Sequence, residues 1–119
     1  MLPKQNRYTT PEFDQVFKNN TAIHGDYLIR LKPTDKIINT NPSFSKKSAV
    51  IVSKKNYRRR VDRNRIRRFV YRIIQEHLNT EFGGIYLLKK DQGNFLDLIK
   101  NNPDQAKQQI TNLVTSQKI

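Results

Sequence analysis

The chain has no cysteine and no tryptophan, only four glycines, and ten acidic residues against 23 lysines and arginines. Without cysteine there is no disulfide framework, no thiolate metal site and no cysteine nucleophile. That fits a reducing cytosol, and a cytoplasmic location is expected. The longest unbroken apolar runs, 49–52 and 85–88, are four residues each, against the roughly 20 that cross a bilayer. Neither a membrane span nor a secretory signal is expected. The few acids are scattered and make no cluster of carboxylates of the kind a two-metal nuclease needs. Glu12 and Asp14, two apart on a helix, point to different sides. His24 and His77, the two histidines, have no spaced partner for a metal, and Gly83-Gly84 lacks the context of a phosphate loop. We expect no catalytic residue, no metal site and no small-molecule substrate in this chain.

What is present in excess is positive charge. The formal net charge is +13, and residues 54–72, "KKNYRRRVDRNRIRRFVYR", hold ten Lys and Arg against one acid, Asp62. Within this stretch and just beyond, Ile66, Phe69, Val70, Ile73, Ile74 and His77 recur at three- and four-residue steps, one face of a helix. Asn64, Arg67, Arg68, Tyr71, Arg72 and Gln75 gather on the opposite side. Asp62 falls where an N-cap or first-turn acid offsets the helix dipole. A solubilising face usually alternates sign; here Arg63/Arg67 and Arg68/Arg72 are like-charge pairs at i,i+4, each unfavourable by a few tenths of a kcal/mol. Arginine dominates over lysine, which suits forked contacts to phosphate and stacking on bases. An aliphatic helix face with one Phe fits packing on a sheet better than burial in lipid. The pattern points to nucleic acid, with Arg63 expected to be exposed in the free protein.

At 119 residues the chain is expected to be one domain, 1–119, with a modest core, in keeping with 35% hydrophobic residues and a mean hydropathy of −0.80. Residues 1–7 read as extended and partly mobile. Thr10-Pro11-Glu12 reads as a helix start with Thr10 as the cap; Phe13, Val16 and Phe17 share one face and Asn19-Asn20 stops the helix. Residues 27–32 alternate as a strand, with a short strand or turn at 22–25 before it. The 33–47 stretch reads as a connecting loop, 48–53 and 85–90 as strands, 79–84 as a break, and 94–100 as a turn carrying Phe95, Leu96, Leu98 and Ile99. Asn102-Pro103-Asp104 caps a last helix with Ala106, Ile110, Leu113 and Val114 facing inward. The order αβββαβα makes an α+β fold, a two-layer sandwich with a small mixed sheet and one βαβ crossover.

"VSKK" at 52–55, a short basic spacer and "RNRIRR" at 63–68 together resemble the signature of the bacterial ribonuclease P protein subunit, in which a strand ending in Ser/Ala-Lys-Lys leads to a helix bearing Arg-Asn-Arg-Ile-Lys-Arg. The resemblance covers nearly the whole chain. It implies a left-handed crossover, where general handedness rules favour a right-handed one. It also implies the function: RNA-catalysed removal of the 5′ leader from precursor tRNA. The partners are then the catalytic RNA subunit, which carries the active site and its magnesium ions, and the precursor tRNA. By the same resemblance Lys54, Lys55, Arg63, Asn64, Arg65, Arg67 and Arg68 face RNA. Arg58, Arg59, Arg60 and Arg72 extend that cationic set, and Ile66 is a core anchor. Phe13 and Phe17 line a cleft for the single-stranded leader, and Tyr27 is assigned to it as a third aromatic. This chain departs from the family in having Tyr71-Arg72 where Arg-Glu is common, Ala49 for a strand glycine, and Gly84 where a larger residue opens the fourth strand. The alternatives are a ribosomal-type RNA-binding protein or RNA chaperone of the same fold, and a stand-alone nuclease, which the missing carboxylate cluster disfavours.

Overall fold

The computed structural model describes residues 4–55, 57–78, 80–89 and 94–115. Its elements are α1 (Thr10–Lys18), β1 (Asn20–His24), β2 (Leu28–Pro33), α2 (Asp35–Thr40), β3 (Ser48–Ile51), α3 (Arg60–Gln75), β4 (Gly84–Leu88), α4 (Asn94–Asn101) and α5 (Pro103–Thr115), with 3-10 turns at Lys4–Asn6 and Pro42–Lys46. The strands form one mixed sheet in the order β1-β2-β4-β3. β3 and β4 run parallel with α3 as the connection between them, and the other pairs are antiparallel. The expected order αβββαβα is present with two further helices, α2 and α4, inserted, and the βαβ unit is present.

Side chains alternate across the strands, and the alternation sorts two cores. On one face Leu28, Val50, Val52, Tyr86 and Leu88 pack with Ile66, Val70, Ile73 and Ile74 of α3, Phe95 and Leu96 of α4, and Ala106, Ile110, Leu113 and Val114 of α5. On the other face Ile85 packs with Val16 of α1 and Phe44, bordered by Tyr8, Phe13, Leu31, Ile37, Ile38 and Leu87. The two-layer reading describes the α3–α5 side. Opposite it, α1, α2 and the 42–46 turn form a thinner, partial cover.

Several boundaries differ from the sequence reading. The cap of α1 is Thr9, not Thr10: its side chain accepts from the Glu12 N–H, while Glu12 accepts from the Thr9 N–H at 2.8 Å. Both residues satisfy backbone donors that the helix itself leaves free. The 33–47 stretch is not a bare loop, because α2 and the 42–46 turn bury Phe44 at 2% exposure. The 94–100 stretch is helical, not a turn, since Phe95 and Leu96 both dock in the main core. The start of the chain is also tied down: Asn6 donates to the Lys46 carbonyl at 2.8 Å, and Arg7 bridges in parallel to Ser48. Residues 1–3, Asn79 and Lys90, which the sequence reading placed in a tail, a break and a strand end, lie outside the described residues.

Gly84 has a structural reason to replace a larger residue. Its φ is +138°, and a Cβ there would stand 2.8 Å from the Leu31 carbonyl oxygen. At Gly83 a Cβ would meet the Phe44 carbonyl oxygen at 2.3 Å. Two backbones meet at this point because β4 threads between β2 and the 42–46 turn, leaving room for hydrogen alone.

Candidate nucleic-acid interface

α3 is held by its apolar stripe: Ile66, Val70, Ile73 and Ile74 are at most 2% exposed. Its N-cap, Arg59, makes no side-chain cap bond, and Asp62 supplies the first-turn acid. The far end is closed by the Glu76 N–H on the Ile73 carbonyl at 3.0 Å and the His77 N–H on the Ile74 carbonyl at 2.9 Å, so His77, read as part of the helical face, falls just beyond the helix and is half-buried. Docking this stripe on the sheet leaves the cations no choice of side. Lys54, Lys55, Arg58, Arg59, Arg60, Arg65, Arg68 and Arg72 are exposed; Asn64 and Arg67 are half-buried. The ion pairs among the described residues, Glu12–Lys47 and Glu76–Lys107, lie outside 54–72. The positive surface is therefore continuous from the end of β3 along α3.

Arg63 corrects the expectation of exposure. It is 8% exposed, and its guanidinium donates to the Tyr57 and Arg58 carbonyls at 2.9 and 2.8 Å. Tyr57, at 5% exposure, is plugged into the main core, and its hydroxyl accepts from the Leu96 N–H at 3.4 Å. Together they pin the turn that presents Lys54 to Arg60. A cation that sits inside needs its donors filled, and here the backbone of the basic turn fills them. In the free chain Arg63 is a residue that shapes the cationic surface.

The second face of the sheet holds the other candidate surface. Directly paired residues share a face, so the register lines up Ile51, Leu87, Ile29 and His24 across all four strands. The neighbouring row, Ile85 and Leu31, is covered by Val16 of α1. The first row stays open: Ile51 is 40% exposed, and Leu87 and Ile29 are half-buried. Phe13 and Phe17 project from α1 on this face, rings stacked with centroids 6.0 Å apart and planes 11° from parallel. Phe17 is 53% exposed, whereas Phe13 leans on the smaller core. Tyr27 does not join them. Its ring lies 5.3 Å from Phe95, against the main core on the other face: strand alternation would group residue 27 with Ile29 and Leu31, but Tyr27 sits in the bend before β2, outside that alternation. The sequence reading missed Ile51, Leu87 and Ile29 as lining residues, although the alternation of 48–53 already placed 49 and 51 on one face. Ile51 stands three residues before Lys54, so the open apolar lane runs into the cationic turn.

A third feature lies on the flank of α3. Asn64, Arg67, Arg68 and Tyr71 wall a depression of about 280 Å³, with Arg67 donating to the Asn64 carboxamide oxygen. Among the described residues, no three His, Asp or Glu side chains come together, and no helix is long and apolar enough to cross a membrane. The family model described as Ribonuclease P matches residues 2–115 of the chain. No curated protein and no solved structure gives a significant match.

Proposed function

The chain belongs to the ribonuclease P family as a protein subunit of that tRNA-processing enzyme, and from this premise we propose how it serves the reaction. The basic turn and α3 bind the phosphates of a catalytic RNA subunit. The open lane beside Phe17 takes the single-stranded 5′ leader of precursor tRNA, and the hydrolytic centre belongs to the RNA. The observation that carries this reading is the junction of the two surfaces: the apolar lane, on the face that bears a stacked, half-open aromatic pair, ends at Ile51, three residues before the exposed Lys54 and Lys55 that begin the cationic turn. Unpaired bases stack on aromatic faces while the backbone follows positive charge, and this molecule offers both on adjoining surfaces. Magnesium is placed with the RNA, because a segment with ten cations and one carboxylate has the wrong donors for a hard divalent ion. A reaction of this kind proceeds in the cytoplasm, where the partner RNA and tRNA meet.

Phe17→Leu tests the lane. Leucine keeps an apolar side chain at an exposed helical site, so the fold and the binding of the RNA subunit should be unchanged. Base–aromatic stacking is worth about 1–3 kcal/mol, so the holoenzyme should bind precursor tRNA roughly 5- to 150-fold more weakly, with mature tRNA unaffected. Equal losses for the two tRNAs would mean that the ring is only packing.

A further inference from the structure

The outer edge of β3 brings together residues that the family signature does not include. Ser48 and Val50 are two apart, so their backbone groups face the same edge. Arg7 bridges to Ser48, and the Val50 N–H donates to the Tyr71 hydroxyl at 3.2 Å. Arg7 and Tyr71 are thereby neighbours along one strand edge. From the helix side, Asn64, Arg67, Arg68 and Tyr71 are related by steps of three and four and wall the depression on the flank of α3. The charges of Arg67 and Arg7 thus act on the Tyr71 hydroxyl from its two sides, and Arg68 lines the depression beside it.

The chemistry of that hydroxyl decides what the depression can hold. It already accepts the Val50 N–H, so its proton is the group left to give. Burial pushes the Tyr71 pKa up, and the Val50 hydrogen bond and the charges of Arg67 and Arg7 only partly oppose this. At neutral pH the group is a proton donor. A donor ringed by cations matches an anion with several acceptor oxygens and matches nothing neutral or positive.

We infer that the depression is a subsite for one phosphate group, completed by Tyr71 and Arg7. The Tyr71 O–H donates to one non-bridging oxygen, while Arg67, Arg68 and Arg7 hold the charge. The inference rests on the RNA-binding reading for the source of that phosphate, a backbone phosphodiester of the RNA subunit; a free phosphate has the same oxygens and is distinguished below. It gives a role to the tyrosine that stands here in place of the more usual arginine.

The test uses the full chain with two probes, inorganic phosphate followed by NMR at Tyr71, Asn64 and Val50, and the catalytic RNA subunit followed by affinity against salt. Phosphate should shift these resonances saturably in the wild type. Tyr71→Phe should weaken both phosphate and RNA binding roughly tenfold, as for loss of one hydrogen bond to a charged group, and leave the salt slope unchanged because no charge is lost. Arg7→Gln should weaken RNA binding and lower the slope by about 0.7–0.9. Affinities are taken per folded molecule after a thermal melt of each variant, so a merely structural tyrosine would lower the melt and leave both affinities intact, overturning the inference. Phosphate binding that depends on Tyr71 while RNA binding does not would also overturn it, leaving a free-anion site only. Replacing Arg58, Arg59 and Arg60 by Ala separates the two claims: RNA affinity should fall while the phosphate shifts persist. If that triple variant binds RNA as the wild type does, the broader RNA reading fails at the turn, independently of the fate of Tyr71.

Discussion

Arg30→Ala should cost about 3–5 kcal/mol of folding stability, from the cavity left by a large buried side chain and the carbonyls left without donors, out of the roughly 5–15 that a domain possesses. Arg30 lies mid-strand in β2 and is 1% exposed. All five guanidinium N–H groups are spent on backbone carbonyls. Nε donates to Gly83 at 3.1 Å, one terminal nitrogen to Leu113 and Val114 at 2.8 and 3.0 Å, and the other to Glu81 and Gly83 at 2.6 and 2.8 Å. Leu113 and Val114 lie in the last turn of α5, whose free carbonyls carry the negative end of the helix dipole. The Tyr86 ring, with its centroid 5.8 Å from the guanidinium carbon, adds a further favourable contact. One side chain thus joins β2, the approach to β4 and the end of α5. Alanine leaves a cavity and deprives these carbonyls of their donors at once. Chemical denaturation should show the loss, and hydrogen exchange should show α5 opening before the sheet. A variant within about 1 kcal/mol of the wild type would mean that water replaces the guanidinium without penalty.

The largest functional effect is expected from the cationic surface. Replacing Arg58, Arg59, Arg60, Arg67 and Arg68 together by Ala removes five charges, four of them on exposed side chains. If each neutralises one phosphate, the plot of log affinity against log salt should flatten by about 3.5–4.5. The same slope, taken from 1 M down to 0.1 M salt, implies a loss of roughly 3,000- to 30,000-fold. The fold should survive, because the buried stripe is untouched and the like-charge pairs along α3 are relieved. An unchanged slope would place the RNA interface elsewhere on the molecule.

The strongly patterned elements were legible in the sequence, and the composed ones were not. α3 announces itself through a 16-residue helix with one apolar and one cationic side, and strands 27–32, 48–53 and 85–90 through short apolar runs between breakers. α2 and α4, six and eight residues long, are too short to form from local preference; each exists because Ile37 and Ile38, or Phe95 and Leu96, find a surface to dock on. Arg63 was misleading because a cation in a pattern counts as exposed, and only the folded chain shows which backbone carbonyls fill its donors. Tyr27 failed because the alternation that groups it with Ile29 and Leu31 holds only within the strand, and Tyr27 lies in the bend before β2. Of the candidate site, the signature gave the helix residues, while the lane of Ile51, Leu87 and Ile29 needed the strand order, which no local pattern contains.

The account stands or falls on cleavage of precursor tRNA in three parallel reactions with magnesium: this protein alone, the catalytic RNA subunit alone, and the two combined. It predicts no cleavage by the protein alone. The combined reaction should cut at the 5′ end of the mature tRNA, with a rate at low precursor concentration above that of the RNA alone. Cleavage by the protein alone, or a combined rate no higher than that of the RNA, would contradict it.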